Sequence, residues 1–373
     1  MRVLVVNAGS SSLKLALLDG DNATIDAREL QAPRARVDPD ELRAALRSPL
    51  GQADAVGHRI VHGGERFRAA VRIDGAVEDA LRGLVDLAPL HQPKSLAALD
   101  AVSEALPGLP AVACFDTAFH ATLPAAAATY ALPAEWRKRW GLRRYGFHGL
   151  SHAWVAQRAP QLLGRDAAGL RVVSCHLGAG ASLCAIRDGR SLDTTMGFTP
   201  LEGLVMATRS GSVDPGMLLW LAEHERLSTA EMADTLEHRS GLLGLAGTSD
   251  MAQIVERAAE REPRAGLALD VYIHRLRAEI AAMAAALGGL DVLVFTGGVG
   301  EHSSEVRSQT AGGLAFLGVS LDEARNREAR GDAEIGSAGS AVRTLVLTAR
   351  EDIEIAQQTR AVLCGEDQTT PPA

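Results

Sequence analysis

Two stretches of the chain repeat one layout 169 residues apart, and this repetition limits the fold more than any other feature. The first is Val3-Leu-Val-Val-Asn7-Ala-Gly9-Ser10-Ser11-Ser12-Leu-Lys14-Leu-Ala-Leu-Leu-Asp19-Gly20. The second is Val172-Val-Ser-Cys-His176-Leu-Gly178-Ala179-Gly180-Ala-Ser182-Leu-Cys-Ala-Ile-Arg-Asp188-Gly189. In each, two apolar runs with β character flank a turn of small residues, so each reads as a hairpin. Gly9 matches Gly178, and Asp19-Gly20 matches Asp188-Gly189 at the same offset, so the two layouts are in register along the sequence and suggest a duplicated fold. Small residues let backbone N–H groups approach a phosphate, and hydroxyl and amide side chains donate to it. Two such turns predict a polyphosphate ligand, and a nucleotide is the first candidate.

The 373 residues suffice for two ordinary domains with sizeable cores. A net charge of −8, with arginines scattered among acids, leaves no basic stripe of the kind nucleic acid or an anionic membrane surface requires. Cys114, Cys175, Cys184 and Cys364 lie far apart, three of them in apolar runs, as reduced core thiols do. That points to the cytoplasm. The first apolar run ends at Asn7, too early for a signal peptide, and Ile280–Phe295 is too short to span a bilayer.

Along the chain, Glu41–Arg47 reads as a helix, Ala53–Val61 as a strand, and Val77–Leu87 and Ser95–Leu106 as helices. Asp116 follows the apolar strand Ala111–Phe115, at the carboxyl end where open α/β sheets place ligand-contacting residues. Ser151 is the expected N-cap of a helix from Ala153. After the second hairpin come helices near Gly216–Glu223, Thr229–Leu236, Met251–Arg261 and Ala265–Leu287. A buried strand Leu290–Phe295 leads into a tight turn, Thr296-Gly297-Gly298-Val-Gly300, and a helix from Ser303. A strand near Val342–Leu347, a helix near Ile353–Leu363 and a disordered Thr/Pro tail close the chain. Alternating strands and helices make this α/β.

Seven motifs, in order, resemble the acetate kinase family of the actin, Hsp70 and sugar kinase superfamily. They are Asn7-Ala-Gly-Ser-Ser-Ser-Leu-Lys14, Gly57-His-Arg59-Ile-Val61-His-Gly-Gly-Glu65, Phe115-Asp116-Thr-Ala-Phe-His120 and Arg144-Tyr-Gly-Phe147-His148-Gly149. Then follow Gly197-Phe-Thr-Pro200-Leu-Glu202-Gly203, Thr208-Arg209-Ser-Gly211 and Phe295-Thr-Gly-Gly298-Val-Gly300-Glu301. The resemblance implies two domains with duplicated mixed-sheet cores and an interdomain cleft, the first spanning residues 1–120 and 353–373, the second 121–352. It also implies a homodimer and reversible phosphoryl transfer from ATP to acetate or a similar short-chain carboxylate, with Mg²⁺ required and Mn²⁺ a possible substitute.

Chemistry explains such residues. A carboxylate is already ionised at neutral pH and needs no general base. The obstacle is anion meeting anion, about 4 kcal/mol per close unit-charge pair at an effective dielectric near 20. Arg59 and Arg209 are the cations expected to offset it, Arg59 also orienting the carboxylate. By resemblance, His148 stabilises the transition state, Asp116 is catalytic and, with Glu351 and nearby Asn7, positions Mg²⁺ and its waters. The resemblance places Val61, Leu90, Phe147 and Pro200 around the substrate's methyl group. It assigns nucleotide contacts to Lys14, Ser10 and Ser12, to His176, Leu177, Gly178, Ala179 and Gly180, to Asp250, Met251 and Ala252, and to Gly298, Val299, Gly300, Glu301 and His302. Four positions depart from the family pattern: Ala179, His302 and Arg350 replace asparagines and Ala252 replaces an arginine, which bears on nucleotide preference.

Two other readings stand beside this one. Gly298-Val-Gly300-Glu-His-Ser303 with Asp322 downstream approaches a dinucleotide fingerprint, but Ser303 replaces its third glycine. An actin-like or Hsp70-like ATPase switch would use the hairpins but leave the loop arginines without a task.

Overall fold

The structure, a computed structural model, describes residues 1–9, 12–31, 38–88 and 92–365. Ser10, Ser11, Leu90 and the Thr/Pro tail lie outside the described residues. The chain divides into one unit of Met1–Ala121, Phe147–Trp154 and Arg350–Ala373 and a second of Thr122–Gly146 and Val155–Ala349.

The first unit is built on β1 (Val3–Ala8), β2 (Ser12–Leu18), β3 (Thr24–Gln31), β4 (Ala55–Ile60), β5 (Val71–Arg72) and β6 (Ala111–Phe115), in the order β3-β2-β1-β4-β6-β5. The second carries β7 (Arg171–Leu177), β8 (Ala181–Arg187), β9 (Arg190–Thr194), β10 (Val292–Thr296), β11 (Ala333–Glu334) and β12 (Arg343–Val346). Their order, β9-β8-β7-β10-β12-β11, is the same permutation six strands later. In each sheet the three middle strands, β1, β4 and β6 or β7, β10 and β12, run parallel and the others pair antiparallel. The expected α/β duplication is therefore present as two mixed six-stranded sheets.

The strand pairing of the two hairpins differs by one residue. In the first, Asn7 lies opposite Lys14 and Ala8 opposite Leu13, and the Gly9 N–H reaches the Ser12 carbonyl at 2.8 Å. In the second, His176 lies opposite Ser182 and Leu177 opposite Ala181, and the Gly178 N–H reaches the Gly180 carbonyl at 3.0 Å. The second turn closes one residue sooner. Leu183, the sequence counterpart of Lys14, therefore does not face the counterpart of Asn7.

Alternation along β1 sends its side chains to two cores. Leu4 and Val6 join Leu13, Leu15, Leu17, Ala98 and Val102, under the helix Gln92–Ala105. Val3 and Val5 join Val112, Cys114, Ile353, Ile355 and Ala356, under the helix Glu351–Cys364. Gly57 of β4 lies against that last helix, where a Cβ would collide with Ile355 and Thr359. Among the described residues, no helix is long and apolar enough to cross a membrane. Cys114, Cys175 and Cys184 are buried, Cys364 is exposed, and all four are free thiols.

His58, beside Gly57 on β4, is buried, and among the described residues neither ring nitrogen has a hydrogen-bond partner. Burial pushes its pKa from 6.5 down to about 4, and does the same at His62. Between those pH values the unfolded chain holds a proton that the folded chain lacks, so stability falls as pH drops through the window and is level above it. The expected loss for His58 reaches about 3 kcal/mol at pH 4. Urea unfolding at pH 7 and pH 5 checks this. His58→Leu is expected to remove about half of the loss, and an unchanged pH dependence in that variant contradicts it.

Several local expectations are corrected. The glycine-rich segment after β10 is no turn but a short helix, Gly297–His302, followed by the helix Ser304–Gly312 capped by Ser303. Ser151 is no N-cap, because the helix begins at Gly149 and buries Ser151. Gly149 lies against Asp116, with its N–H on the Asp116 carbonyl at 2.9 Å and no room for a Cβ. The polar stretch after the first hairpin holds β3, an exposed edge strand with no apolar alternation to betray it.

Candidate active site

The three parallel strands of the first unit end on one face. Asn7 continues the Val3, Val5 face of β1, and Arg59 follows Gly57 on β4. Asp116 follows Cys114 one residue beyond β6. All three side chains emerge where the helix Glu351–Cys364 starts. Parallel strands present their carboxyl ends together, which is why α/β sheets bind ligands there.

Arg59 is the hub. Its Nε and Nη2 donate to the two Asp116 carboxylate oxygens at 3.2 and 2.5 Å, and its Nη1 donates to Asn7 Oδ1 at 3.2 Å. The Asn7 amide donates to Glu351 Oε2 at 3.2 Å, and that oxygen stands 4.0 Å from Arg59 Nε. The Arg59 side chain is 16% exposed and that of Asp116 only 1%. Burial disfavours the charged guanidinium, but the facing Asp116 and Glu351 carboxylates outweigh it and hold its pKa above the usual value. Arg59, Asp116, Asn7 and Glu351 are thus one connected polar set.

His148 adopts φ +56°, a left-handed backbone that costs a non-glycine residue roughly 1–3 kcal/mol and collects at functional sites. It follows Phe147, whose carbonyl lies 3.0 Å from His120 Nε2, and precedes Gly149, fixed on Asp116. His148 is therefore delivered beside the Asp116 main chain. Phe147 is buried and meets the ring of His62 edge-on at 5.5 Å, and Val61, next to His62, is buried as well.

Two carboxylates and an amide around one point fit a magnesium nucleotide, because Mg²⁺ commonly takes one or two protein carboxylates and fills its octahedron with water and phosphate oxygens. Among the described residues no group of three or more His, Cys, Asp or Glu could form a protein-only cage. Phosphate and water would therefore have to complete the coordination. Lys14 is exposed and lies across the β1–β2 pair from Asn7, and the Ser12 hydroxyl donates to Glu29 at 2.6 Å.

In the second unit, Leu177 meets the start of the helix Gly297–His302. Gly297 sits at φ +75° with the Leu177 carbonyl 2.8 Å from where a Cβ would stand, so the His176–Gly180 turn and Gly298, Val299, Gly300, Glu301 and His302 adjoin. The Glu301 carboxylate accepts the N–H groups of Gly297 and Ala349, each at 3.0 Å. Arg307, buried beneath, donates to the Gly300 and Glu301 carbonyls at 2.9 and 2.8 Å, and burial lowers its pKa to about 10. Ala179 accepts from the Ala207 N–H at 3.1 Å. Asp250 caps the helix Met251–Ala259 through the Ala252 N–H at 2.8 Å, with Met251 buried and Ala252 exposed. Asp322, the acid of the dinucleotide reading, caps the helix Glu323–Glu328.

Arg209 pairs with Glu237 at 3.2 Å and donates to the Pro200 carbonyl at 3.0 Å. The Pro200 loop is held in turn by Arg144, Glu202 and Tyr130. Sequence reasoning quoted Arg144 and Glu202 inside motifs without giving them a task, and it missed Tyr130, Glu237 and Arg307. An arginine–glutamate pair across two glycine-rich loops was the one available signal.

A family model described as the Acetokinase family matches residues 34–357. The acetate kinase of Nostoc punctiforme is 50% identical over 315 residues, covering 84% of this chain and 78% of that protein. That of Gloeobacter violaceus is 45% identical over 399 residues, covering 96% and 98%. Among solved structures, Porphyromonas gingivalis acetate kinase superposes with TM-score 0.89 at 37% identity, covering 97% of this chain and 99% of that one. A propionate kinase from Francisella tularensis superposes equally well, with TM-score 0.89, 34% identity and the same coverage. Sequence and overall structure agree: this chain belongs to the acetate kinase family.

Proposed function

We propose that the chain transfers the γ-phosphoryl group of ATP reversibly to acetate, giving acetyl phosphate and ADP. The observation that carries the reading is a permanently charged Arg59, held by Asp116 and Asn7 at the ends of parallel strands, in a chain of this family. An acetate oxygen attacks the γ-phosphorus, the new P–O bond forms as the bond to the β-bridging oxygen breaks, and ADP leaves with that electron pair. No proton moves, which suits a residue set whose hub is a guanidinium. Arg59 neutralises and orients the incoming carboxylate. Arg209 and His148 stabilise charge on the equatorial oxygens of the transferring group.

Asp116 and Glu351, with Asn7, would hold Mg²⁺ and its waters; the ion, when bound, neutralises phosphate charge. Lys14, Ser10, Ser12 and the segments His176–Gly180, Asp250–Ala252 and Gly298–His302 hold the nucleotide. Val61, Leu90, Phe147 and Pro200 are the residues assigned to the methyl group, on the family resemblance. The free thiols support a cytoplasmic protein. A homodimer is part of the proposal. It is supported by the helix Pro215–His224, apolar along most of its length yet burying no residue among those described, with Met217, Leu219 and Trp220 exposed.

Purified protein given ATP, Mg²⁺ and hydroxylamine is expected to release ADP and acyl hydroxamate only when a carboxylate is added. Acetate, propionate, butyrate and formate compared in parallel rank the acyl preference. ATP hydrolysis without carboxylate, and no hydroxamate with any, would overturn the reading in favour of an ATPase switch. Sedimentation equilibrium of the same preparation is expected to give twice the chain mass, and a monomer at all concentrations removes the dimer.

A further inference from the structure

We propose that Tyr130 and Glu202 are positioning residues for carboxylate selectivity: they clamp the loop Gly197–Gly203 and so fix Pro200 and the carbonyl that anchors Arg209. The inference rests on the reading given above for Pro200 and Arg209, and it deepens that reading by naming what holds them.

The clamp is a closed polar circuit. The Tyr130 hydroxyl donates to Glu202 Oε2 at 2.5 Å and accepts the Phe198 N–H at 2.9 Å. The other Glu202 oxygen accepts Arg144 Nη2 at 2.8 Å. Arg144 Nη1 reaches the carbonyls of Thr194, Thr195 and Met196 at 3.1, 3.1 and 3.0 Å, so one guanidinium ties the end of β9 to the loop entrance. Its carbon also stands 5.7 Å from the centre of the Tyr130 ring. Gly197 has no room for a Cβ, which would strike both the Glu202 carboxylate and the Tyr130 hydroxyl. Its carbonyl accepts the N–H groups of Tyr145 and Gly146 at 3.1 and 3.2 Å. At the far end the Gly203 N–H bonds Ser212 Oγ at 3.0 Å. Burial, followed by the bond to Glu202, raises the Tyr130 pKa, so the phenol remains a donor throughout the working pH range.

Both ends of the loop are thus fixed, and Pro200 between them offers its carbonyl to Arg209 at 3.0 Å. A methylene in an apolar pocket is worth only ~1–3 kcal/mol, so selection among short acids depends on a wall that does not yield. A wall displaced by about 1 Å would also cost turnover, through misplaced reacting atoms. Loop rigidity, rather than a further contact to substrate, is what the circuit supplies.

Tyr130→Phe removes one hydroxyl and leaves the ring in place. In the full-length enzyme it is expected to raise KM for acetate about tenfold, leave KM for ATP within twofold, and lower the acetate-over-butyrate ratio of kcat/KM about tenfold. Hydrogen exchange at residues 197–203 is expected to accelerate about tenfold or more. Glu202→Gln keeps an acceptor for the hydroxyl and is expected to fall between Tyr130→Phe and the unmodified enzyme. Unchanged exchange in the loop overturns the clamp. Faster exchange with unchanged acetate KM and selectivity, or a drop in melting temperature with a proportional loss of active enzyme alone, overturns the selectivity role. If the unmodified enzyme makes no hydroxamate from any short acid, the functional reading has failed, and the selectivity role falls with it. Exchange in the loop reports on the clamp independently of that assay.

Discussion

Replacing Arg59 with alanine is expected to lower turnover by about 10³-fold, the range found when a charge-stabilising donor or arginine is removed from a phosphoryl transfer site. Two effects combine. The incoming carboxylate loses the cation that offsets its repulsion from the γ-phosphate, and Asp116 loses two guanidinium hydrogen bonds while only 1% exposed. Breaking a buried ion pair from one side costs about 3–5 kcal/mol, so the melting temperature is expected to fall as well. Arg59→Lys separates the effects. Lysine keeps the charge beside Asp116 but cannot span both its oxygens and the Asn7 amide at once. That variant is expected to recover most of the thermal stability and still turn over about 10²-fold more slowly than the unmodified enzyme. Hydroxamate formation and thermal unfolding, measured on both variants, decide the matter. If Arg59→Ala keeps turnover within tenfold while losing stability, Arg59 is a structural counter-ion and the polar set is not the catalytic centre.

What the sequence makes legible follows from how far apart cooperating residues lie. Asn7 and Asp116 each end an apolar run, so the pattern alone puts them near strand ends, whereas Arg59 lies inside the run Ala53–Val61. Their convergence depends on β1, β4 and β6 being parallel neighbours, which the duplicated layout suggests and the sheet order supplies. Glu351, 344 residues from the asparagine it bonds, has no local signal, and only the family resemblance pointed to it. The one-residue difference in hairpin pairing is not legible in the sequence, because the two layouts match there at a constant offset. Gly297–His302 reads as a turn because three glycines disfavour a helix. Tertiary contacts override that propensity: Gly297 needs its positive φ against Leu177, Glu301 bonds back to the Gly297 N–H, and Arg307 holds the last carbonyls. Tyr130 sits in an irregular segment whose only distinction is its partner 72 residues away, so no pattern within the sequence could have found it.

Arg209→Ala is expected to reduce kcat by about 10²–10³-fold while KM for ATP changes less than about threefold. The loop around Arg209 is held by main-chain bonds that the substitution leaves intact. Met206 N–H reaches the Arg209 carbonyl at 3.2 Å, Ser210 N–H the Leu236 carbonyl at 3.0 Å, and Leu242 N–H the Met206 carbonyl at 2.9 Å. Gly241 packs against the same backbone with no space for a Cβ. The alanine variant therefore keeps its loop and loses only the guanidinium fork, which is 20% exposed and spans Glu237 and the Pro200 carbonyl. A group that acts on charge developing in the transition state lowers kcat and kcat/KM together, whereas one that holds ground-state nucleotide raises KM. Arg209→Lys is expected to rescue little, because a single ammonium cannot reproduce the fork between carboxylate and carbonyl. Steady-state kinetics with ATP and acetate varied separately distinguish the roles. A rise in KM for ATP matching the loss in kcat/KM, with kcat preserved, would make Arg209 a nucleotide anchor and leave the transferring phosphoryl group to Arg59 and His148.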